Sequence, residues 1–169
     1  MIAKKKYTQF YILVIFVLLI ALFFRSGLVL FFQQGAGDQK YYLFLAENLL
    51  NGCGFSKSDP STNECELLSA HYFPGFPAFM ASIWYLFGKS NSLILICNII
   101  CYLLSLFWLL RSLLKFTNNF KIVISIGIIM ALSPLQIGWF RFVFLTEPLA
   151  IATATWFLAE LILSICYKK

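Results

Sequence analysis

Long apolar runs constrain the fold of this chain more than any other feature of its sequence. A transmembrane helix needs about 20 predominantly apolar residues. Three such runs are clear, and a fourth, which begins at Glu147, has one acid, Glu160, in its interior. The runs are residues 7–24 or slightly beyond, 91–114, 121–140 and 147–167. Hydrophobic residues make up 61% and charged residues 12% of the chain, against roughly half and a quarter in soluble domains. The sequence therefore predicts an all-α, polytopic membrane protein with about four transmembrane helices, forming one transmembrane domain over residues 1–169.

The first apolar run resembles a retained helix more than a cleavable signal peptide. Its apolar core is longer than the usual 7–15 residues of a signal peptide, and no small-x-small cleavage site follows it cleanly. We therefore expect a retained transmembrane helix or signal anchor at the N-terminus.

The basic residues predict the orientation of the helices. The net charge is +6, and the cations cluster beside the apolar runs, at Lys4–Lys6, Arg111, Lys115, Lys121, Lys168 and Lys169. The positive-inside rule marks such positions as cytoplasmic, and anionic lipid headgroups are their expected partner rather than nucleic acid. Both termini are thus predicted to be cytoplasmic, with the loop of residues 33–90 extracytoplasmic.

Two short helices are expected in the extracytoplasmic loop. Residues 38–51 place apolar side chains at helical spacing on one face and end at Asn51-Gly52, a common helix stop. Residues 74–87 are apolar but too short to span a membrane, which favours an interfacial or re-entrant helix. Counting residues 74–87 as a span would place Arg111 and Lys115 outside, against the positive-inside rule. We therefore predict juxtamembrane helices in the loop.

Five cysteines fall into two groups. Cys97, Cys101 and Cys166 lie within apolar runs and are expected to be small buried hydrophobes. Cys53 and Cys65 both lie in the loop of residues 33–90, where an oxidising compartment would allow a disulfide. Sequence alone does not give the geometry that a disulfide requires, so paired and free states both stay open.

Several polar residues are candidates for chemistry, and each also has a purely structural interpretation. Asp38 and Glu147 are acids at predicted helix starts, where a carboxylate also caps the helix or opposes its dipole. His71 is either a base, a metal ligand or a hydrogen-bonded wedge beside a Pro-Gly-Phe-Pro corner. Arg141 is either a phosphate ligand or a snorkelling cation. For Glu160, inside the last run, an interhelical hydrogen bond is the simplest account.

The order of these motifs resembles the N-terminal part of the GT-C glycosyltransferases. The family includes protein O-mannosyltransferases, aminoarabinose transferases and bacterial family 39 glycosyltransferases, and the resemblance covers roughly residues 7–163. It is carried by Asp38, Tyr42, Ala46, Asn48, Leu49, Gly52, Gly54 and Phe55, then by residues 73–77, 133–134 and 146–148. No single motif is highly specific, and the order of the motifs within the predicted topology carries the resemblance.

The resemblance implies a function and a set of site residues. It implies transfer of a sugar, with inversion, from a polyprenyl-phosphate-linked donor to a lipid, glycan or protein acceptor outside a bacterial inner (plasma) membrane. Asp38 would be the general base and Glu147 the second catalytic acid. Tyr41, Tyr42, His71 and Arg141 would bind substrate, with Arg141 or His71 stabilising the leaving phosphate.

The chain also departs from the family pattern. His71-Tyr72-Phe73 stands where many relatives carry an arginine, Cys53 stands where an aromatic residue is common, and relatives usually continue through more helices. We therefore expect a complete enzyme, a truncated enzyme or one half of an enzyme that needs a second membrane polypeptide. The alternative is a non-catalytic membrane scaffold or lipid-binding subunit. The sequence indicates no metal cluster and names no cofactor, so a divalent metal stays open.

Overall fold

The computed structural model describes residues 2–29, 38–62, 65, 72–133 and 147–167. These residues form six α-helices, as the all-α prediction requires, together with a short 3₁₀ turn at Pro60–Thr62. The helices are α1 (Ile2–Val29), α2 (Asp38–Leu50), α3 (Gly75–Phe87), α4 (Asn91–Thr117), α5 (Phe120–Leu132) and α6 (Glu147–Tyr167).

Helices α4 and α6 are long and apolar enough to cross a membrane, with 27 and 21 residues. Shorter apolar stretches occupy the described side chains of α1, all of α3 and all of α5. Cys97 and Cys101 lie in α4 and Cys166 lies in α6, as predicted, but all three side chains are half-buried rather than fully buried.

The chain divides into two compact units, and helix α4 begins in the second unit and continues into the first. The first unit comprises residues 1–31, 98–141 and 147–169. Its helices bury residues at intervals of three and four, which place them on one face of a helix. The buried residues of α1 are Phe10, Val14, Val17 and Ala21, and those of α6 include Ala152, Thr155, Ala159 and Leu163.

Gly127 allows α5 to approach its neighbours closely in the first unit. A Cβ atom at this position would lie 3.1 Å from both Cδ atoms of Leu110 in α4 and 3.2 Å from Cγ1 of Val17 in α1. Such spacing is tighter than ordinary van der Waals contact, so the absence of a side chain lets the three helices pack. The hydroxyl of Tyr102 adds a hydrogen bond of 3.1 Å to the carbonyl oxygen of Met130.

The outward faces of the first unit are also apolar. The exposed fractions of Phe23, Ile129 and Phe157 are 72%, 68% and 70%. These residues belong to α1, α5 and α6, whose other large exposed side chains are mostly aliphatic or aromatic. Apolar surface on that scale is unusual where water surrounds a protein.

The second unit comprises residues 32–97 and 142–146, and α2 packs against α3 within it. Leu45 and Ala46 of α2 and Met80 of α3 are fully buried. Helix α2 ends as predicted, because Gly52 adopts a φ of +80°, a left-handed conformation that glycine accepts without strain. Helix α3 begins one residue after Pro74, in agreement with the prediction of a short helix over residues 74–87.

Candidate functional site

Asp38 occupies the first position of α2. Its side chain lies outside the part of the structure that is described, so its placement rests on the backbone. Asp38 belongs to the second unit, together with both tyrosines that the sequence singles out. The structure therefore bears on the predicted role of Asp38 only through the residues around the first turns of α2.

Tyr41 and Tyr42, near the start of α2, belong to an aromatic cluster. The ring of Tyr41 stacks on that of Tyr72 with centroids 5.6 Å apart, and Tyr42 meets Tyr72 edge-on at 5.2 Å. Tyr42 also contacts Phe76 at the start of α3, at 5.8 Å. Tyr42 is buried, whereas 40% of Tyr41 is exposed. The two tyrosines thus differ: Tyr42 joins α2 to α3, and Tyr41 leaves ring surface available to a ligand.

Asn48 organises the loop that follows α2. Its side chain is 1% exposed, and its Nδ2 donates to the carbonyl oxygens of Ser56 at 2.7 Å and Ser58 at 2.9 Å. The hydroxyl of Ser56 in turn donates to that of Ser58. The resemblance includes Asn48 among its motif residues but gives it no role, and the structure shows it to be a buried polar residue of α2 whose hydrogen bonds hold the loop.

The 3₁₀ turn of this loop is held by Asp59. Oδ1 of Asp59 accepts hydrogen bonds from the backbone N–H of Ser61 at 3.0 Å and from its hydroxyl at 2.7 Å. These bonds favour the ionised carboxylate and hold the pKa of Asp59 below its usual value. Asp59 is therefore a structural residue of the loop, and its Oδ1 atom binds Ser61.

Cys53 and Cys65 form a disulfide, which decides between the two states left open by the sequence. Their Cα atoms are 5.1 Å apart, within the usual range for a disulfide. The bond joins the residue that follows Gly52 to a position 12 residues further along the chain. Closing a loop of this length stabilises a fold by about 3 kcal/mol in the chain-entropy account.

We expect Cys53 and Cys65 to resist thiol labelling until the protein is reduced, because both sulfur atoms are held in the disulfide. Peptide-level mass spectrometry after maleimide treatment measures this at each position. Cys53→Ser is the matched control, since it frees Cys65 and should make that residue label without reduction. Labelling of both cysteines in the unreduced native chain would contradict the pairing.

An ion pair and an open groove complete the contact of α2 with α3. Nζ of Lys89 pairs with Oε1 of Glu47 and lies 5.7 Å from the centroid of the Trp84 ring. The groove has a volume of about 400 Å³ and a mainly apolar lining of Leu49, Leu50, Ala81, Ser82, Tyr85 and Leu86. It opens to the surface, so an extended apolar ligand could lie in it.

Glu147 begins α6, as the sequence predicts, and belongs to the first unit. Its Oε2 atom is buried and accepts no hydrogen bond within the described part of the chain. A buried carboxylate oxygen without a donor costs free energy, and a catalytic role is one of the explanations for such an atom. Glu147 therefore stays a candidate for chemistry.

Of the remaining candidate residues, Glu160 makes a contact that the structure describes, and the others lie at positions that it does not describe. His71 and Arg141 lie outside the described residues, as does Thr146. Glu160 makes the interhelical hydrogen bond that its place within an apolar run predicts: Nε1 of Trp108 in α4 donates to its Oε1 at 2.7 Å. This contact joins α4 to α6 in the first unit, so Glu160 is a structural residue of that helix pair.

Neither a metal site among the described residues nor a similar protein assigns a role to these residues. Within the described ranges, no group of three or more His, Cys, Asp or Glu side chains is placed to hold a metal ion. Comparison with family models, with curated proteins and with solved structures finds no match to this chain. The catalytic and substrate-binding roles of Asp38, Glu147 and the two tyrosines stay predictions.

Proposed function

We propose that the chain is a membrane glycosyltransferase of the GT-C type. It transfers a sugar from a polyprenyl-phosphate-linked donor to a lipid, glycan or protein acceptor at the outer face of a bacterial inner membrane. The observation that carries the proposal is the position of Asp38. It is an acid at the first residue of α2, three residues before Tyr41 of the aromatic cluster and nine residues after the end of the apolar helix α1 in the sequence.

The membrane placement rests on the helices of the first unit. Helices α4 and α6 have the length and composition of membrane spans, and α1 and α5 expose apolar faces that lipid would cover. In the proposed topology α1, α4 and α6 cross the membrane, and α5, with 13 residues, forms only the first part of the predicted third span, residues 121–140. Helices α2 and α3 lie at the membrane surface. The Cys53–Cys65 disulfide supports an extracytoplasmic loop, because disulfides persist in oxidising compartments.

In the proposed reaction, Asp38 is the general base. Its carboxylate accepts the proton of the acceptor hydroxyl, and the hydroxyl oxygen attacks the anomeric carbon of the sugar from the face opposite the phosphate. The bond between the anomeric carbon and the phosphate oxygen breaks, and the lipid phosphate leaves with the bonding electron pair. One displacement of this kind inverts the configuration at the anomeric carbon.

Other residues have supporting roles in this proposal. The half-exposed ring of Tyr41 offers an apolar face to a sugar, and Tyr42 holds α2 against α3. A cation, Arg141 or His71, stabilises the leaving phosphate. The apolar groove between α2 and α3 has the chemistry to accept part of a polyprenyl chain. Glu147 acts as the second acid, which would give a use to its buried Oε2 atom, for which the described residues supply no hydrogen-bond donor.

The proposal is tested by incubating the purified chain in lipid nanodiscs with radiolabelled polyprenyl-phosphate sugars and a panel of acceptors. Transfer of label by the chain alone would support a complete enzyme. Transfer only after a second membrane polypeptide is added would favour the subunit alternative. Absence of transfer under both conditions, with donors that a known GT-C enzyme uses in parallel, would overturn the proposal.

A further inference from the structure

A ladder of cations and aromatic rings runs along α4 and α6 within the first unit, from the middle of α6 to the C-terminal ends of both helices. The guanidinium carbon of Arg111 is 5.4 Å from the centroid of the Trp108 ring, and the Trp108 and Trp156 rings stack at 5.9 Å. Nζ of Lys115 is 5.5 Å from the centroid of the Tyr167 ring and 3.5 Å from its hydroxyl. The ladder therefore joins the two long apolar helices.

The two cations of the ladder are available to an anion. Arg111 and Lys115 are four residues apart and share one face of α4. Both side chains are exposed, and neither makes an ion pair within the described residues. Glu160 is the acid of this neighbourhood, and its Oε1 already accepts the hydrogen bond from Trp108. The charge that remains on this surface is positive.

The position of the ladder along the helices matches the boundary between headgroups and acyl chains. Lys115 and Tyr167 lie two and zero residues from the ends of α4 and α6, whereas Arg111 lies six residues inside α4. At a rise of about 1.5 Å per residue, the two cations span roughly 6 Å of depth. Tyr167 suits that depth, because one part of a tyrosine ring is apolar and another is polar. Trp108 and Trp156 lie nine and eleven residues before the ends of their helices, at the depth of the acyl chains.

We propose that this ladder is a binding site for the headgroup of an anionic phospholipid in the cytoplasmic leaflet. Arg111 and Lys115 contact the phosphate, and the exposed ring of Trp156, deeper in the span, lies against an acyl chain. Charge complementarity selects the occupant, since the cytoplasmic leaflet is negative and attracts juxtamembrane cations. Lys121, exposed at the start of α5, adds a further charge at this end of the unit. The inference rests on the proposed membrane placement but not on the transfer reaction.

The test measures lipid retention by native mass spectrometry of the full chain. The protein is purified from mixed micelles that hold equal amounts of phosphatidylglycerol and phosphatidylcholine with identical acyl chains. The native chain should retain phosphatidylglycerol preferentially. Arg111→Gln/Lys115→Gln should lower that preference about thirtyfold, as expected for the loss of two cations near a charged surface. If the double variant does not fold, Lys115→Gln alone should lower it roughly fivefold.

A matched control separates a defined site from net charge. Lys40→Gln/Lys57→Gln removes the same charge from the second unit, where both lysines are exposed and Lys40 also lies over an aromatic ring, that of Phe44. This variant should keep the native preference. An equal loss in both double variants, or equal retention of the two lipids by the native chain, would overturn the proposal. So would displacement of the lipid by millimolar inorganic phosphate, which would indicate a site for a free anion.

Discussion

Asp38→Asn is expected to lower the rate of sugar transfer by about 10²–10⁴-fold, the range that a positioned general base contributes. The substitution separates two explanations for an acid at the first residue of α2. Asparagine caps a helix as well as aspartate does, so a capping residue would tolerate the change. A general base would not, because the amide cannot accept the proton of the acceptor hydroxyl. Transfer from the labelled polyprenyl-phosphate donor measures the difference.

The control for this substitution is Asp59→Asn. Asp59 is an exposed acid of the same unit whose hydrogen bonds go to Ser61, so its loss should leave transfer within about twofold of the native rate. Unfolding of the Asp38→Asn protein should match that of the native chain. Full transfer activity in Asp38→Asn would remove Asp38 as the base while leaving the membrane placement intact.

Local signals in the sequence predict the elements of the second unit closely. The expected helix over residues 38–51 is α2, Asp38–Leu50, and that over residues 74–87 is α3, Gly75–Phe87. Both ends depend on residues whose backbone preferences act within one turn, such as Gly52 with its positive φ. The periodic apolar face of α2 is equally local, and Leu45 and Ala46 are buried as it predicts.

Contacts between distant residues were less accessible to sequence reasoning. An acid within an apolar run indicates an interhelical hydrogen bond for Glu160, but the donor, Trp108, is 52 residues away and could be identified only in three dimensions. The Cys53–Cys65 pairing likewise depends on the path of the loop between the two residues. The ladder of Arg111 and Lys115 could not be predicted either, because it depends on how α4 and α6 are rotated relative to each other. Apolar periodicity does not specify that rotation for helices that are apolar on most faces.

Asn48→Asp is expected to lower the free energy of unfolding by about 2–4 kcal/mol, because two buried hydrogen bonds are lost at once. Aspartate has the same shape, but its oxygen would face the carbonyl oxygens of Ser56 and Ser58, which now accept from Nδ2 at 2.7 and 2.9 Å. Both carbonyls would lose their buried donor.

The measurements that check this prediction are denaturant unfolding in detergent and hydrogen exchange at the amides of the loop. Asn51→Asp is the matched control: it makes the same chemical change one turn later, at an exposed position where α2 ends, and should cost at most a few tenths of a kcal/mol. Loop amides should exchange faster in Asn48→Asp even while the disulfide stays closed, because the disulfide restrains only the ends of the segment between Cys53 and Cys65. Equal unfolding free energies for the two variants would mean that the disulfide and the α2–α3 contact alone hold the loop, and that Asn48 is not its organising residue.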